Sequence, residues 1–320
     1  MDKGKIPLLV ILGPTASGKS RLAITLANKL TAEGITDGAE VICCDSRQMY
    51  KGTPIGTATP RPEERGGIPH HLYNFLDPGK ELSAGEYSRL GREKVAEVRG
   101  RGNLPILVGG SGFYFQALVD GLFEAPEVDQ AVRKRLVSYC KRRGVVRLWR
   151  ILSRLDGESA SRIKPRDRQR VIRAMEVRLQ TGKPLSQLQQ NIPPPPNYDL
   201  LALGIAPPRE ILYRLIEERV DKMIAAGLVE EVEELLSQGV SKESPVFKAI
   251  GYGEIASHLE GETGLDEAVK QIKTHSRQYA KRQLTWFRRD KRIRWIEWTG
   301  EQAPQERALQ LVQEWLRGER

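Results

Sequence analysis

The sequence predicts an α/β protein: a parallel sheet buried on both faces, interrupted by a mainly helical insert. Three observations predict it. Short, continuously apolar runs alternate with helical patterns, a glycine-rich turn joins the first run to the first helix, and a strongly basic helical stretch lies between the third and fourth runs.

The elements follow in order. Strand-like runs occur at Leu8–Leu12, Val41–Cys44, Pro105–Val108, Leu200–Ile205 and Arg292–Glu297. The first helix is expected over Arg21–Leu30. The basic stretch ends at Pro193–Pro196, four prolines that cannot continue a helix and form a stiff spacer. Pro207-Pro208 then opens a helix from Arg209 to about Ala226, with Gly227 as its C-terminal cap. The last third reads as mainly helical, closing on one strand and one helix. The simplest division is a core of residues 1–120 and 198–320 with an insert at 121–197.

Composition narrows the class. Hydrophobic residues at 39% and charged residues at 29% fit a globular protein with a proper core, and the net charge of +10 favours a polyanionic partner. That charge is concentrated: Arg133 to Lys183 carries 17 Lys/Arg against four acids, a net of +13, which leaves about −3 for the remainder. Apolar residues at helical spacing (Val171, Met175, Leu179) place this region on packed helices. No exposed aromatic or Leu-rich face lies opposite the bases, so nucleic acid is preferred over a membrane surface. Three cysteines supply no disulfide framework and no C-x-x-C pair. The longest early apolar run, Leu8–Leu12, is too short for a signal peptide or a membrane span, and a cytoplasmic location is expected.

Gly13-Pro14-Thr15-Ala16-Ser17-Gly18-Lys19-Ser20 fits G-x-x-x-x-G-K-[ST], directly after a strand and before a helix. Its glycines let backbone N–H groups turn around phosphate oxygens, and the helix N-terminus adds partial positive charge. Lys19 would hold a terminal phosphate and Ser20 a Mg²⁺ ion. The core is thus P-loop NTPase-like. ATP does not follow as the ligand, because the strand Pro105–Val108 ends in Gly109-Gly110-Ser111-Gly112, without the carboxylate that usually holds magnesium there. A carboxylate instead ends the second strand, at Asp45, where strand carboxyl ends share one crevice with the phosphate loop. On position alone Asp45 reads either as a group facing bound phosphates or as a cap of the following turn.

With these residues in place the chain resembles the tRNA dimethylallyltransferase (isopentenyltransferase) family in its bacterial form. The resemblance rests on GPTASGKS (13–20), DSRQMYKGTPIGTATP (45–60), HHLYNFLDP (70–78), LVGGSGFYFQAL (107–118), RDRQRVIRAMEV (166–177), KAIGYGE (248–254) and RQYAKRQLTWFR (277–288), in family order. It implies transfer of a dimethylallyl group from its diphosphate to the exocyclic amine of an adenosine beside the anticodon, in tRNAs reading codons that begin with U. It implies Asp45 as the base, Ser46, Arg47 and Gln48 beside the target nucleotide, and Ser111 near the reactive centre, where relatives usually carry Thr. Gly13 to Ser20 with Mg²⁺ and Arg219 would neutralise the leaving diphosphate. Arg133, Gln169, Arg170, Val171, Ile172 and Arg173 match positions used for the tRNA anticodon stem-loop, as do Lys248, Ala249, Ile250, Gly251, Tyr252 and Gly253. A monomer without a membrane anchor is expected.

Two other readings compete: a P-loop kinase for a small molecule, which leaves the basic insert unexplained, and a non-catalytic RNA-binding protein, against which the intact Lys19, Ser20 and Asp45 count. His70-His71 reads as structural or as part of a substrate loop and not as a metal site, since adjacent imidazoles rarely converge on one metal and no third ligand is evident. Without the resemblance Arg219 is equally well a solvated helix residue, and Arg288, Arg289, Lys291, Arg292 and Arg294 read as a solvated face.

Overall fold

The computed structural model describes residues 4–123, 126, 128–190, 194, 196–298 and 305–319. Pro193 and Pro195 of the expected proline spacer lie outside them. Backbone contacts divide the chain into two compact units: residues 1–119 with 196–320, and residues 120–195.

The larger unit begins with β1 (Ile6–Leu12), α1 (Lys19–Ala32), β2 (Ala39–Cys43), β3 (His70–His71), α2 (Ala84–Gly100), β4 (Leu104–Gly109) and α3 (Gly112–Asp120). Its strands form a six-stranded sheet in the order β3-β2-β4-β1-β5-β6, every pairing parallel, with β5 at Tyr198–Ile205 and β6 at Ile293–Ile296. The five apolar runs of the sequence are these strands. The sixth, β3, has only two residues, too short to leave an apolar signature.

Both faces of the sheet are covered, which is why β1, β2 and β4 are buried without alternation and, Glu40 apart, apolar. On one face Leu22, Ala23, Leu26, Ala27 and Leu30 of α1 pack against Leu9, Ile11, Val41, Ile106, Leu203 and the last helix. On the other, Tyr87 of α2 is fully buried, donates to Cys43 O at 2.9 Å and stacks on Tyr114 at 4.1 Å. Ser83 and Glu86 close a reciprocal capping box that starts α2.

Glu40 is a carboxylate buried inside strand β2. Arg101 grips both its oxygens at 2.9 and 2.7 Å, Asn103 donates at 2.7 Å, and His71 Nε2 lies at 2.5 Å. These donors hold its carboxyl at a pKa of about 2, Arg101 contributing most. His71 therefore ties the short edge strand β3 to β2, a structural role, one of the two the sequence suggested.

After β5 the unit continues with α9 (Arg209–Ala225), α10 (Leu228–Ser237), α11 (Tyr252–Leu259), α12 (Leu265–Phe287), β6 and α13 (Gln305–Arg317). Gly227, expected as the cap of α9, adopts φ 98° just beyond that helix and opens α10.

The smaller unit is helical: α4 (Gln130–Arg143), α5 (Val145–Leu155), α6 (Gly157–Arg162), α7 (Arg168–Thr181) and α8 (Leu185–Leu188). Its core holds Leu136, Cys140, Leu148, Leu152, Val171 and Met175. Asp129, Asp156 and Asp167 cap α4, α6 and α7 through their carboxylates. The packed face of α7 runs on through Val177 but leaves out Leu179, which is 57% exposed although the apolar spacing placed it in the core.

The Glu40 cluster yields a test. Glu40→Ala leaves three donors without an acceptor and is expected to destabilise the fold by about 3 kcal/mol. The carboxylate's contribution is present above the ordinary glutamate range and is lost as pH falls through about 2. Denaturant unfolding at neutral and acid pH checks both.

Candidate active site

The site forms at the carboxyl ends of the parallel strands. Register places Leu12 beside Gly109 on one side and Gly204 on the other, and Cys43 beside Val108. The loops leaving β1, β2 and β4 therefore emerge side by side. Since β4 lies between β1 and β2, the phosphate loop and Asp45 are two strand spacings apart, about 10 Å. That gap admits a ligand.

Glycine is required where these loops meet their neighbours. A Cβ on Gly13 would sit 2.4 Å from Ile205 O, one on Gly109 1.9 Å from Cys44 O, and one on Gly110 2.2 Å from Gln283 Nε2. Gln283, 5% exposed, clamps two loops with one amide: its Oε1 accepts from Thr15 N at 2.8 Å and its Nε2 donates to Gly110 O at 2.9 Å.

A cleft of about 1520 Å³ opens in front of this frame. Residues Thr15 to Ser20 line it, opposite Asp45, Ser46, Arg47 and Gln48, with Arg219 on a third side. Within the loop Ala16 and Gly18 adopt left-handed conformations, φ 61° and 81°, and Lys19 Nζ donates to Pro14 O at 2.6 Å. Ser17 is fully buried, and its hydroxyl has no partner among the described residues. Burial pushes the Lys19 ammonium down to about 8, partly offset by Asp45 and reinforced by Arg219. Burial lowers the Arg219 guanidinium too, with Asp45 opposing. Two cations and one carboxylate thus share one desolvated space. Arg219 is no solvated helix residue: its Nη1 donates to Thr15 Oγ1 and its Nη2 to Thr57 O, both at 3.3 Å.

Asp45 caps the turn that follows it, one of its two sequence readings, and lines the cleft. One carboxylate oxygen accepts from Arg47 N at 2.9 Å, closing a turn, while Oδ2 makes no hydrogen bond among the described residues. Arg47 Nη1 donates to Pro245 O, and Gln48 Nε2 donates to Thr57 O and Ala58 O, which fixes the far rim.

Other expected site residues fall differently. Lys248, Ala249 and Ile250 line the cleft, whereas Gly251, Tyr252 and Gly253 are not among its lining residues. Tyr252 is buried and donates to Glu231 at 2.6 Å and to Thr53 O at 3.1 Å, so its side chain serves the scaffold. Ser111 is absent from the lining residues; its Oγ accepts from Tyr114 N at 3.4 Å and starts α3. In the helical unit Val171 and Ile172 are core residues, while Gln169 and Arg170 are exposed. Arg133 and Arg173 both pair with Glu176, which is 0% exposed. The remaining bases of that unit, Arg162 and Arg170 apart, make no ion pair among the described residues.

Sequence reasoning did not single out Gln283, Glu231, Tyr279 or Arg282. Tyr279 and Arg282 line the cleft with Ser276, and their i, i+3 spacing on α12 was the available signal. Glu231 sits in an acid-rich helix without distinguishing context. Its carboxylate nonetheless accepts from Ile55 N at 2.8 Å, Gly56 N at 2.9 Å and Tyr252, and so holds the 53–59 loop whose carbonyls anchor Arg219 and Gln48.

Fold and site together define a phosphate-loop α/β protein whose cleft sets two cations and a carboxylate around a phosphate cradle. A family model described as IPP transferase matches residues 48–290. The tRNA dimethylallyltransferase of Geobacter metallireducens is 45% identical over 301 residues, covering 93% of this chain and 95% of its own length. The crystal structure of the full-length tRNA isopentenylpyrophosphate transferase of Bacillus halodurans matches with a TM-score of 0.69 at 35% identity, covering 98% of this chain and 97% of that one. A eukaryotic dimethylallyltransferase captured acting on tRNA matches with a TM-score of 0.82 at 27% identity, covering 98% of this chain and 80% of that one. This chain belongs to the IPP transferase family and is a transferase.

Glu231→Ala should strip an acceptor from three donors and release the 53–59 loop. We expect a loss of about 3 kcal/mol in stability together with weaker donor binding, read by thermal denaturation and by titration with a non-reactive donor analogue. Unchanged binding in a folded variant would dismiss the loop-positioning role.

Proposed function

We propose that the chain transfers a dimethylallyl group from dimethylallyl diphosphate to the exocyclic N6 amine of the adenosine 3′-adjacent to the anticodon, in tRNAs reading codons that begin with U. The observation that carries this reading is the juxtaposition of Asp45, with a free carboxylate oxygen, and the Lys19–Arg219 pair across one cleft.

The adenine amine is a poor nucleophile because its lone pair is delocalised into the ring. It attacks the C1 carbon of the allyl group, the C1–O bond breaks, and the electron pair leaves with diphosphate. The amine's proton passes to Asp45 Oδ2. Residues Gly13 to Ser20, Lys19 and Arg219 neutralise the developing charge on the leaving group in a site where desolvation strengthens each interaction. The buried, unpartnered Ser17 hydroxyl supports a phosphate oxygen as its partner. No phosphoryl group moves, which accounts for a phosphate loop without an acid after β4.

Among the described residues no group of three His, Cys, Asp or Glu is placed to hold a metal. The hydroxyl of Ser20 and the carboxylate of Asp45 are nonetheless hard oxygen donors of the kind magnesium takes alongside phosphate oxygens and water. Bound there, Mg²⁺ would supply further charge neutralisation to the diphosphate, held chiefly by Ser20.

The target base must leave its stack, which costs a few kcal/mol and less in a flexible loop. Ser46, Gln48 and Lys248 would contact the extruded nucleotide. The unpaired bases of the helical unit, with Gln169 and Arg170, would bind RNA phosphates and make affinity strongly salt-dependent. Among the described residues no helix is long and apolar enough to cross a membrane.

Incubation with dimethylallyl diphosphate, Mg²⁺ and unmodified tRNA should give prenylated adenosine and free pyrophosphate. ATP hydrolysis without modified tRNA would overturn this reading in favour of a kinase. Asp45→Ala should retain tRNA binding and lose roughly 100- to 10,000-fold in single-turnover rate. Lys19 carries its charge below about pH 8 and loses it above, so donor-analogue affinity should fall from about pH 7 to pH 9 in the wild type and stay flat in Lys19→Met. The folded-state pKa lies below the unfolded one. The buried ammonium therefore destabilises the fold fully below about pH 8, and Lys19→Met should raise the melting temperature there.

A further inference from the structure

Along α12, beyond the residues that line the cleft, lies a second and smaller cavity of about 340 Å³, bounded by Gly112, Gln116, Trp286, Arg289 and Lys291 among others. Trp286 is 37% exposed, unusual for an indole with a well-defined seat. The seat is backbone: a Cβ on Gly112 would lie 2.1 Å from Trp286 Cδ1, so the ring rests against the first turn of α3 with its remaining surface open. Phe115 closes the cavity behind it, with the Arg292 guanidinium 5.5 Å over its ring.

The surroundings are cationic. From Lys281 to Arg294 the chain carries seven Lys/Arg and one acid, Asp290, which pairs with Arg292. Arg288, Arg289, Lys291 and Arg294 are exposed and make no ion pair among the described residues. An open aromatic face beside unneutralised cations is the combination that binds unpaired nucleotides: the base stacks on the ring and its phosphate meets the charge. A solvated face explains the charges but not the exposed indole or the cavity beside it.

Position supports the same occupant. Arg282 lines the main cleft and Trp286 lies one helical turn further along α12, about 6 Å of rise. Gly112 is likewise three residues beyond Gly109, which lines the cleft. An RNA strand with one nucleotide extruded into the cleft brings its neighbour to this level.

We propose that this cavity is a second nucleotide site, in which the unpaired nucleotide flanking the target adenosine stacks on Trp286 while Arg289 and Lys291 hold its phosphate. The proposal rests on the tRNA-modifying reading above, and the experiment keeps the two separable. Binding of the anticodon stem-loop is measured for wild type, Trp286→Ala and Trp286→Phe, each with intact RNA and with RNA made abasic at either nucleotide next to the target. Thermal melts and donor-analogue titration establish that each variant folds with an unaltered main cleft.

Trp286→Ala is expected to weaken intact RNA about tenfold or more, with Trp286→Phe recovering most of the loss. Removing one flanking base should weaken wild type to a similar extent and Trp286→Ala very little further, because base and ring act as a pair. Equal binding by wild type and Trp286→Ala overturns the proposal, as does a loss in the variant that is the same with intact and abasic RNA. A wild-type protein that modifies tRNA while showing either result would sink this site alone; a wild-type protein that modifies no tRNA would remove the reading beneath it.

Discussion

The contact on which the structure turns is the close approach of backbone segments at the strand ends. The Gly109–Gly112 loop meets the turn after β2, and the phosphate loop meets the end of β5, at distances that exclude a Cβ at Gly109 and Gly13, while the Gln283 amide excludes one at Gly110. Hydrogen bonds through the Gln283 amide then lock the phosphate loop to the Gly109–Gly112 loop. Because strand register sets where each loop begins, the position of every charged group in the cleft follows from the way the sheet is paired. A site assembled from backbone proximity is stiff, and stiffness lets the enzyme favour developing charge without reorganising as the reaction proceeds.

Electrostatics in that frame oppose stability and serve chemistry. Lys19 and Arg219 both lose hydration and titrate below their ordinary values chiefly for that reason, with Arg219 lowering Lys19 further. Asp45 offsets part of the penalty and is itself tied into a turn through Arg47 N. In the proposed reaction a diphosphate between the two cations would offset that desolvation. The buried pairs elsewhere do the opposite work: Glu40 with Arg101, and Glu176 with Arg133 and Arg173, are satisfied internally and fix elements in place.

Legibility in the sequence followed the range of the signal. Strand runs, the phosphate loop and the carboxylate after β2 are local patterns, and each was readable because its physics is local: apolar continuity for a strand buried on both faces, glycine spacing for a cradle. What escaped depends on contacts distant in sequence. Gln283 lies 268 residues from Thr15, and Glu231 lies 176 from Ile55; nothing in their own neighbourhoods marks them. Borrowed roles were the other limit. Val171, Ile172 and Tyr252 stand inside blocks shared with relatives, yet their side chains are core, because a block also carries the residues that hold its shape. Arg219 went the other way: its helix looked ordinary until the fold folded it over Thr15.

α12 runs for 23 residues, about 35 Å of rod, and along a single stripe it presents Ser276, Tyr279, Arg282, Gln283 and Trp286 to successive parts of the larger unit. A rod cannot yield at one point without moving its neighbours. Rotating it to accommodate a changed substrate would shift the loop clamp and the cleft wall in concert, so adaptation along this stripe must come through compensated sets of substitutions, and single changes there are poor starting material for altered specificity.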